Sequence, residues 1–251
     1  LLAGRPGHPE AEGIAVGRRL VGINLVASCA FVIGGSLFAA GAYLAQRGEA
    51  LVVVNTTYLV GGFFFSLGAY ASVLLVVNAP QPRPGGPPAS GGAMRWWGRR
   101  RGQRDWRGAV VLFVGTLLFA VSLVAAFASG LTPRQSDGWI WLPDMLGCLC
   151  FLVSGHLAML EVGGGHVAVR PHDLTWWVVA VNQLGSVLFV LAGLAAFVRP
   201  ATSTEVDAGL VNWGTFAGAV CFAIGGVIQS IDRPTPTTLE EQPSHDHTRQ
   251  A

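Results

Sequence analysis

The sequence has little charge and no lysine. Of its 251 residues only 12% are charged and 51% are hydrophobic, whereas about 25% of the residues in typical soluble domains are charged. All 16 basic residues are arginine. This composition argues against a soluble globular domain and indicates a protein that resides in a lipid bilayer.

Motifs for catalysis and cofactor binding are also missing. The chain has no phosphate-binding loop, nucleophile elbow, paired zinc motif or dinucleotide fingerprint. Cys148 and Cys150 cannot chelate one ion as a pair, because residues two apart on a helix point about 200° away from each other. We therefore expect no enzymatic activity, no cofactor and no metal site. Without a folded basic domain we also expect no binding of nucleic acid.

Six long apolar segments are present instead. A helix of about 20 apolar residues crosses the roughly 30 Å of hydrocarbon in a bilayer. None of the segments shows the period-two alternation of a barrel strand, and a backbone exposed to lipid must satisfy its own hydrogen bonds. The sequence therefore predicts an all-α membrane protein with six transmembrane helices. They span residues 20–46, 51–78, 108–129, 139–161, 175–198 and 208–231.

The arginines are distributed unevenly around these helices. If the amino terminus is cytoplasmic, the segments outside the cell contain only Arg47, Arg134 and Arg199 of the 16 arginines. The positive-inside rule then places both termini in the cytoplasm. The exclusive use of arginine, with much Ala, Gly and Val, is typical of a GC-rich bacterial genome. We therefore expect a multi-pass protein of the bacterial cytoplasmic membrane.

The six spans pair into three helical hairpins that resemble one another. The first helices align on residues 24–31, 112–119 and 182–189, each ending in Phe, and the second helices share the pattern Gly-x-x-x-Phe. Repeats of two spans enter the membrane in the same direction, which predicts three parallel-related hairpin repeats, most simply packed as a ring. Small residues on one stripe favour close helix packing. The alternative is that these stripes face inward around a narrow conduit.

These features divide the chain into seven parts. The predicted parts are a cytoplasmic N-terminal segment (1–19), hairpin repeat 1 (20–78), a disordered and then Arg/Trp-rich cytoplasmic linker (79–107), hairpin repeat 2 (108–161), a cytoplasmic loop (162–174), hairpin repeat 3 (175–231) and a disordered cytoplasmic tail (232–251).

A few polar residues within the spans are candidates for function. Asp144 is an acidic residue predicted to lie below the outer interface, and an intramembrane carboxylate is a functional candidate by default. Asn55 and Asn212 occupy the same repeat position, where the middle hairpin has Trp141. The alternative interpretation of this group is a helix start, where Asn or Asp meets exposed amides. The remaining candidates are His156, for proton relay or packing, and Asn24 and Asn182, whose amides we expect to bridge helices.

The stretch before the third span combines arginine with tryptophan. Arginines bind anionic headgroups and indoles anchor at the membrane interface, so we expect a surface that binds anionic lipids. A simple topology signal is the alternative interpretation. The predicted lipid-binding residues are Arg95, Trp96, Trp97, Arg99, Arg100, Arg101, Arg104 and Trp106.

The third hairpin carries a family resemblance. This hairpin contains the core Asn182-x-x-Gly-Ser-x-x-Phe189, with Trp176-Trp177 before it and the stretch from Asn212 to Phe222 after it. These residues resemble actinobacterial integral membrane proteins with YrhK-like membrane hairpins. The resemblance is best over residues 175–231. It implies a membrane hairpin architecture, and it implies no catalytic residue.

Two classes of function are consistent with these features. The first is a protein without enzymatic activity, either a small transporter or channel or a structural bundle. The second is a membrane-associated sensor or partner-binding protein that acts through the cytoplasmic Arg/Trp-rich segment.

Overall fold

The described part of the chain folds into seven helices and one small two-stranded sheet. The computed structural model describes residues 8–80, 93–99 and 103–232, with side chains from residue 15 onward. The elements are α1 (His8–Gln46), α2 (Leu51–Asn78), α3 (Arg104–Ala125), α4 (Pro133–Ser136), α5 (Leu142–Val162), α6 (Leu174–Ala195), β1 (Val198–Arg199), β2 (Thr204–Glu205) and α7 (Ala208–Ile231). A π-helical segment, Asp137–Trp141, joins α4 to α5.

Six of these helical stretches are long and apolar enough to cross a membrane in the described part of the chain, so the predicted all-α membrane fold is confirmed. The bounds of four spans differ from the prediction. The first helix begins at His8 instead of residue 20, and the fifth span ends at Ala195 instead of residue 198. The third helix begins at Arg104 and ends at Ala125, because its polar first turn is helical as well. The fourth stretch begins at Pro133, where Thr132 and Gln135 form a capping box that starts the helix well before the apolar run.

The long helices form a closed ring in chain order. Each of α2, α3, α5 and α6 packs mainly on the helix before it and the helix after it, and α1 packs against α7 to close the ring. Residues 93–99 and 163–173 lie at one end of this ring, called the inner end. Residues 47–50, 126–132 and 196–207 lie at the other, the outer end. These names follow the predicted orientation, which stays a prediction.

Aromatic side chains fill the centre of the ring. Two come from each hairpin, and none of them is more than 8% exposed. Neighbouring rings lie with centroids 5.0 to 6.5 Å apart, mostly edge to face or tilted, which is the favourable range for aromatic pairs. This central phenylalanine cluster consists of Phe38, Phe65, Phe119, Phe151, Phe189 and Phe222. The axis is therefore closed at this level.

The same glycine-phenylalanine contact occurs in all three hairpins. A Cβ atom placed on Gly61, Gly147 or Gly218 would meet a phenylalanine ring of the preceding long helix at 2.7, 3.1 or 2.6 Å. The rings are those of Phe38, Phe119 and Phe189. The first hairpin thus uses Phe38, seven residues after the Phe31 of the sequence alignment. A shift of seven residues returns to the same face of a helix, so the sequence pattern alone did not distinguish the two. The repeat organisation itself stays a prediction.

Candidate functional site

One repeat position connects neighbouring hairpins at the outer end. The side-chain amide of Asn55 donates to the backbone O of Ala126 at 2.8 Å. The indole Nε1 of Trp141 donates to the backbone O of Gly193 at 2.8 Å. The second span of each of the first two hairpins thereby bonds to the carboxyl-terminal end of the first helix in the next hairpin.

The third residue at this position, Asn212, bonds the last hairpin to the first. The amide of Asn212 donates to Oε1 of Gln46, the last residue of α1, at 3.0 Å. None of these residues caps its own helix: Asp207 caps α7, and Ala50 precedes α2 without a side-chain cap. The helix-start interpretation is therefore wrong for the two asparagines, whose amides link hairpins.

We expect the Asn55→Ala variant to lose stability by about 0.6 to 1.7 kcal/mol, the range for interhelical hydrogen bonds in membrane proteins. The lost bond joins α2 to the end of α3 and leaves a backbone carbonyl without its donor. The measurement is the free energy of unfolding in mixed micelles of detergent and dodecyl sulfate. Thr56→Ala is the matched control, because the hydroxyl of Thr56 bonds only to Val52 O of its own helix. Equal losses in both variants would contradict the prediction.

Asn24 and Asn182, the candidate asparagines nearer the inner end, differ in their hydrogen bonding. Asn24 donates to Gln229 O at 3.0 Å and accepts from Nε2 of Gln229 at 3.0 Å, so it bridges α1 and α7. Asn182 packs against Gly225 of α7. Its Oδ1 is buried and has no hydrogen-bond partner in the described part of the chain, and the same holds for Oε1 of Gln183.

Asp144 and His156 do not come together. Twelve residues of α5 separate them, which corresponds to about 18 Å along a helix. His156 is exposed on the outside of the ring. Asp144 is partly buried, and its Oδ2 lies 4.0 Å from Sγ of Cys148. The two candidate residues therefore lie in different parts of α5 and do not form one site.

Further polar groups surround Asp144 at the outer end. The hydroxyl of Tyr58 lies within electrostatic range of the carboxylates of Asp144 and Glu205. Glu205 belongs to the small sheet outside the long helices, and desolvation raises the pKa of its carboxyl above the ordinary value. Two acidic side chains thus lie within electrostatic range of Tyr58 at the outer end.

An ordered segment covers part of the inner end. Asn78 at the end of α2 donates to the backbone O of Arg95 at 2.8 Å and accepts from its backbone N–H at 2.9 Å. Tyr70 donates to Trp96 O at 2.9 Å, and Trp106 donates to Gly98 O at 2.8 Å. The backbone of residues 93–99 is therefore attached to α2 and α3.

The side chains of this segment point away from the ring. Trp96 is 64% exposed and Trp97 is 56% exposed, and Arg95, Arg99 and Arg104 are exposed as well. Trp106 is partly buried against the α2–α3 contact. The predicted lipid-binding residues Arg100 and Arg101 lie outside the described residues, as does the predicted tail beyond Asp232.

The second inner loop is attached in the same way. The indole of Trp176 donates to Ala168 O and that of Trp177 donates to Pro171 O, both at 2.9 Å. This leaves Val169 76% exposed and Arg170 exposed. This loop and residues 93–99 thus both expose apolar and basic side chains at the inner end.

Comparisons with family models, with curated proteins and with solved structures give no match for this chain. The resemblance to YrhK-like hairpins therefore stays a prediction from the sequence.

Proposed function

We propose that this protein is a non-enzymatic membrane bundle that binds anionic lipid headgroups through its inner end. The binding surface consists of residues 93–99 and 163–170, with the arginines at the start of α3. The observation that carries this proposal is the exposure of Trp96 and Trp97 on a segment whose backbone is attached at both its ends. The proposal includes the cytoplasmic orientation of this end in a bacterial inner membrane.

The hydrogen bonds of the inner end support this function. They join side chains of α2 and α3 to backbone atoms of the segment, so that the segment is held while its own side chains remain exposed. Holding a loop before binding lowers the entropy lost when a ligand binds. Exposed indoles beside arginines match the boundary between headgroups and acyl chains.

The packing of the ring supports a structural bundle more than a channel. A conduit along the axis would pass through the central phenylalanine cluster, whose rings are almost wholly buried. In addition, the amides of Asn24, Asn55 and Asn212 are used in bonds between helices. Such bonds fix the arrangement of the hairpins, which is the requirement for a rigid platform.

The Arg95→Gln/Arg99→Gln variant is expected to bind anionic lipid about 30-fold more weakly than the parent chain. Each arginine near an anionic surface contributes about 1 kcal/mol, and 1.4 kcal/mol corresponds to a factor of ten. The affinity is measured by native mass spectrometry or by fluorescence titration of the purified protein with phosphatidylglycerol and, separately, with phosphatidylcholine.

Arg47→Gln/Arg134→Gln is the matched control, since it removes the same charge from exposed positions at the outer end. The control should bind phosphatidylglycerol as the parent chain does. An equal loss of affinity in both double variants would show a nonspecific charge effect and overturn the proposed surface. Undiminished binding by Arg95→Gln/Arg99→Gln would overturn it as well.

A further inference from the structure

A layer of polar side chains lies on the outer side of the central phenylalanine cluster. Tyr58, Asp144 and Thr215 each stand seven residues before the phenylalanine that the second helix of their hairpin adds to this cluster. Residues seven apart lie on the same face of a helix, about 10 Å from each other along its axis. The three polar side chains therefore share the axial face of their helices, two turns toward the outer end.

A fourth polar group, from α3, faces this layer. Gly115 lies opposite Phe151, and Phe119 lies opposite Gly147, in the antiparallel pair of α3 and α5. The same register, continued by three residues on each helix, sets Ser122 opposite Asp144. The equivalent contact in the first hairpin is that of Gly41, whose added Cβ would lie 3.0 Å from the ring of Tyr58.

Ser122 is buried without a hydrogen-bond partner. Only 4% of this residue is exposed, and no hydrogen bond of its hydroxyl occurs within the described ranges. The other buried hydroxyls of these spans do bond: that of Thr116 donates to Phe113 O, and that of Ser154 to Gly108 O. The hydroxyl of Ser122 is therefore available to a ligand, and the register of α3 and α5 sets it on the side that faces Asp144, so that one ligand could contact both groups.

Among the residues that the structure describes, no basic side chain compensates the carboxylate of Asp144. Its contact with the Cys148 thiol is long at 4.0 Å, and the same thiol lies closer to Phe189 O, at 3.4 Å. The backbone of Gly193 on α6 approaches the other side, where an added Cβ would lie 3.8 Å from Oδ2. A lone carboxylate at this depth in a membrane is unfavourable, so a proton or a cation must neutralise it.

We propose that Asp144, Ser122, Tyr58 and Thr215 form a polar layer, on the outer side of the central phenylalanine cluster, that binds a small monovalent cation: a proton or a sodium ion. The titratable groups near Asp144 are Tyr58 of α2 and Cys148 of α5, and Glu205 of β2 lies within electrostatic range of the same Tyr58. The facing residues of α3, α6 and α7 are Ser122, Gly193 and Thr215. Since the central phenylalanine cluster closes the inward side, this polar layer is a binding site and not a pathway.

The test measures the melting temperature of the purified chain in two series. One compares sodium chloride with choline chloride at fixed pH, and the other varies the pH in choline chloride. Sodium binding predicts stabilisation by sodium over choline, and proton binding predicts stabilisation as pH falls. Asp144→Asn is expected to abolish the dependence, because the variant is neutral without a cation. Glu49→Gln, which removes a carboxylate from an exposed outer position, should keep it.

Ser122→Ala serves as the second variant, because it leaves the charge of Asp144 in place. Loss of the hydroxyl should weaken the binding of either cation about fivefold, because its oxygen would contact the sodium ion or accept from the protonated carboxyl of Asp144. The proposal is overturned if the parent chain responds to neither cation. It is also overturned if Asp144→Asn folds and keeps the full response, or if Ser122→Ala changes neither affinity.

Discussion

The Gly35→Leu variant is expected to open the ring between α1 and α7 and to lose most of its folded population. A Cβ atom at this position would lie 2.8 Å from both Ala219 O and Ala223 N. These are backbone atoms, so no side-chain rotation can relieve the clash. Overpacking typically costs about 1 to 3 kcal/mol, and an entire leucine side chain directed at a backbone should reach or exceed the upper end of that range.

The contact is made from both helices. An added Cβ on Gly226 of α7 would lie 2.9 Å from Ser28 O of α1, so that Gly226→Leu should have the same effect as Gly35→Leu. Both variants remove the closing contact of the ring and leave the hairpins themselves unchanged. The measurements are the free energy of unfolding in mixed micelles and the elution volume of the purified protein.

Gly22→Leu is the control on the same helix, because an added Cβ there meets nothing within 4 Å. Leucine is a better helix former than glycine by somewhat less than about 1 kcal/mol, so this control should be neutral or slightly stabilised. If Gly22→Leu and Gly35→Leu were equally unstable, the close approach of α1 and α7 would not explain the result.

The sequence predicted the number of spans because bilayer thickness fixes their length and their apolar character. The bounds of α2 and α7 were also predicted well, since polar or turn-forming residues flank both runs. The start at Pro133 was missed, because the first turns of that stretch are polar and include a π-helical segment. Hydropathy marks the part of a helix in hydrocarbon, and the helix itself continues beyond it.

The partners of the polar side chains could not be derived in this way. Asn55 and Asn212 share one repeat position in the sequence, but their partners lie in the neighbouring hairpin and depend on the ring order. Trp141, at the same position in the middle hairpin, is not among the predicted site residues, although its alignment with two asparagines is a usable signal. Ser122 stands out in the sequence only as a small residue, because its burial beside Asp144 depends on the rotation of α3.

The backbone attachment of the inner segment was missed for a similar reason. The predicted disordered part of the linker lies mostly outside the described residues. In the Arg/Trp-rich part that follows it, Tyr70 and Asn78 of α2 bond to residues 96 and 95. In the sequence both side chains are ordinary parts of an apolar helix. A polar residue at the last turn of a span indicates a docked neighbour only when the loop geometry is known.

Phe151→Ala is expected to lower the free energy of unfolding by about 3 to 5 kcal/mol, the usual cost of removing a buried phenylalanine. Phe151 is 1% exposed. Its ring lies 5.0 Å from that of Phe119 and 5.4 Å from that of Phe222, centroid to centroid. The side chain therefore joins helices of different hairpins, and its loss leaves a cavity at the centre of the ring.

Phe63→Ala is the matched control, since that phenylalanine is 66% exposed on the outside of the ring. The residue change is identical, but a lipid chain can replace the lost contacts of an outer side chain. The control should therefore change stability by less than about 1 kcal/mol, in line with substitutions away from a packed core. Unfolding of both variants in the same micelles provides the comparison, and equal losses would show that position 151 is not central to packing.

The Phe151→Ala variant should not conduct ions, although it removes part of the barrier along the axis. A cavity lined by the five remaining aromatic rings is apolar, and apolar cavities of this size stay dry. Proton flux in vesicles loaded with a pH-sensitive dye should thus equal that of the parent chain while stability falls. A large rise in flux would mean that this one ring separates the Asp144 layer from water at the inner end. The closed bundle would then be a gated pathway, and the lipid-binding surface would lie at its inner mouth.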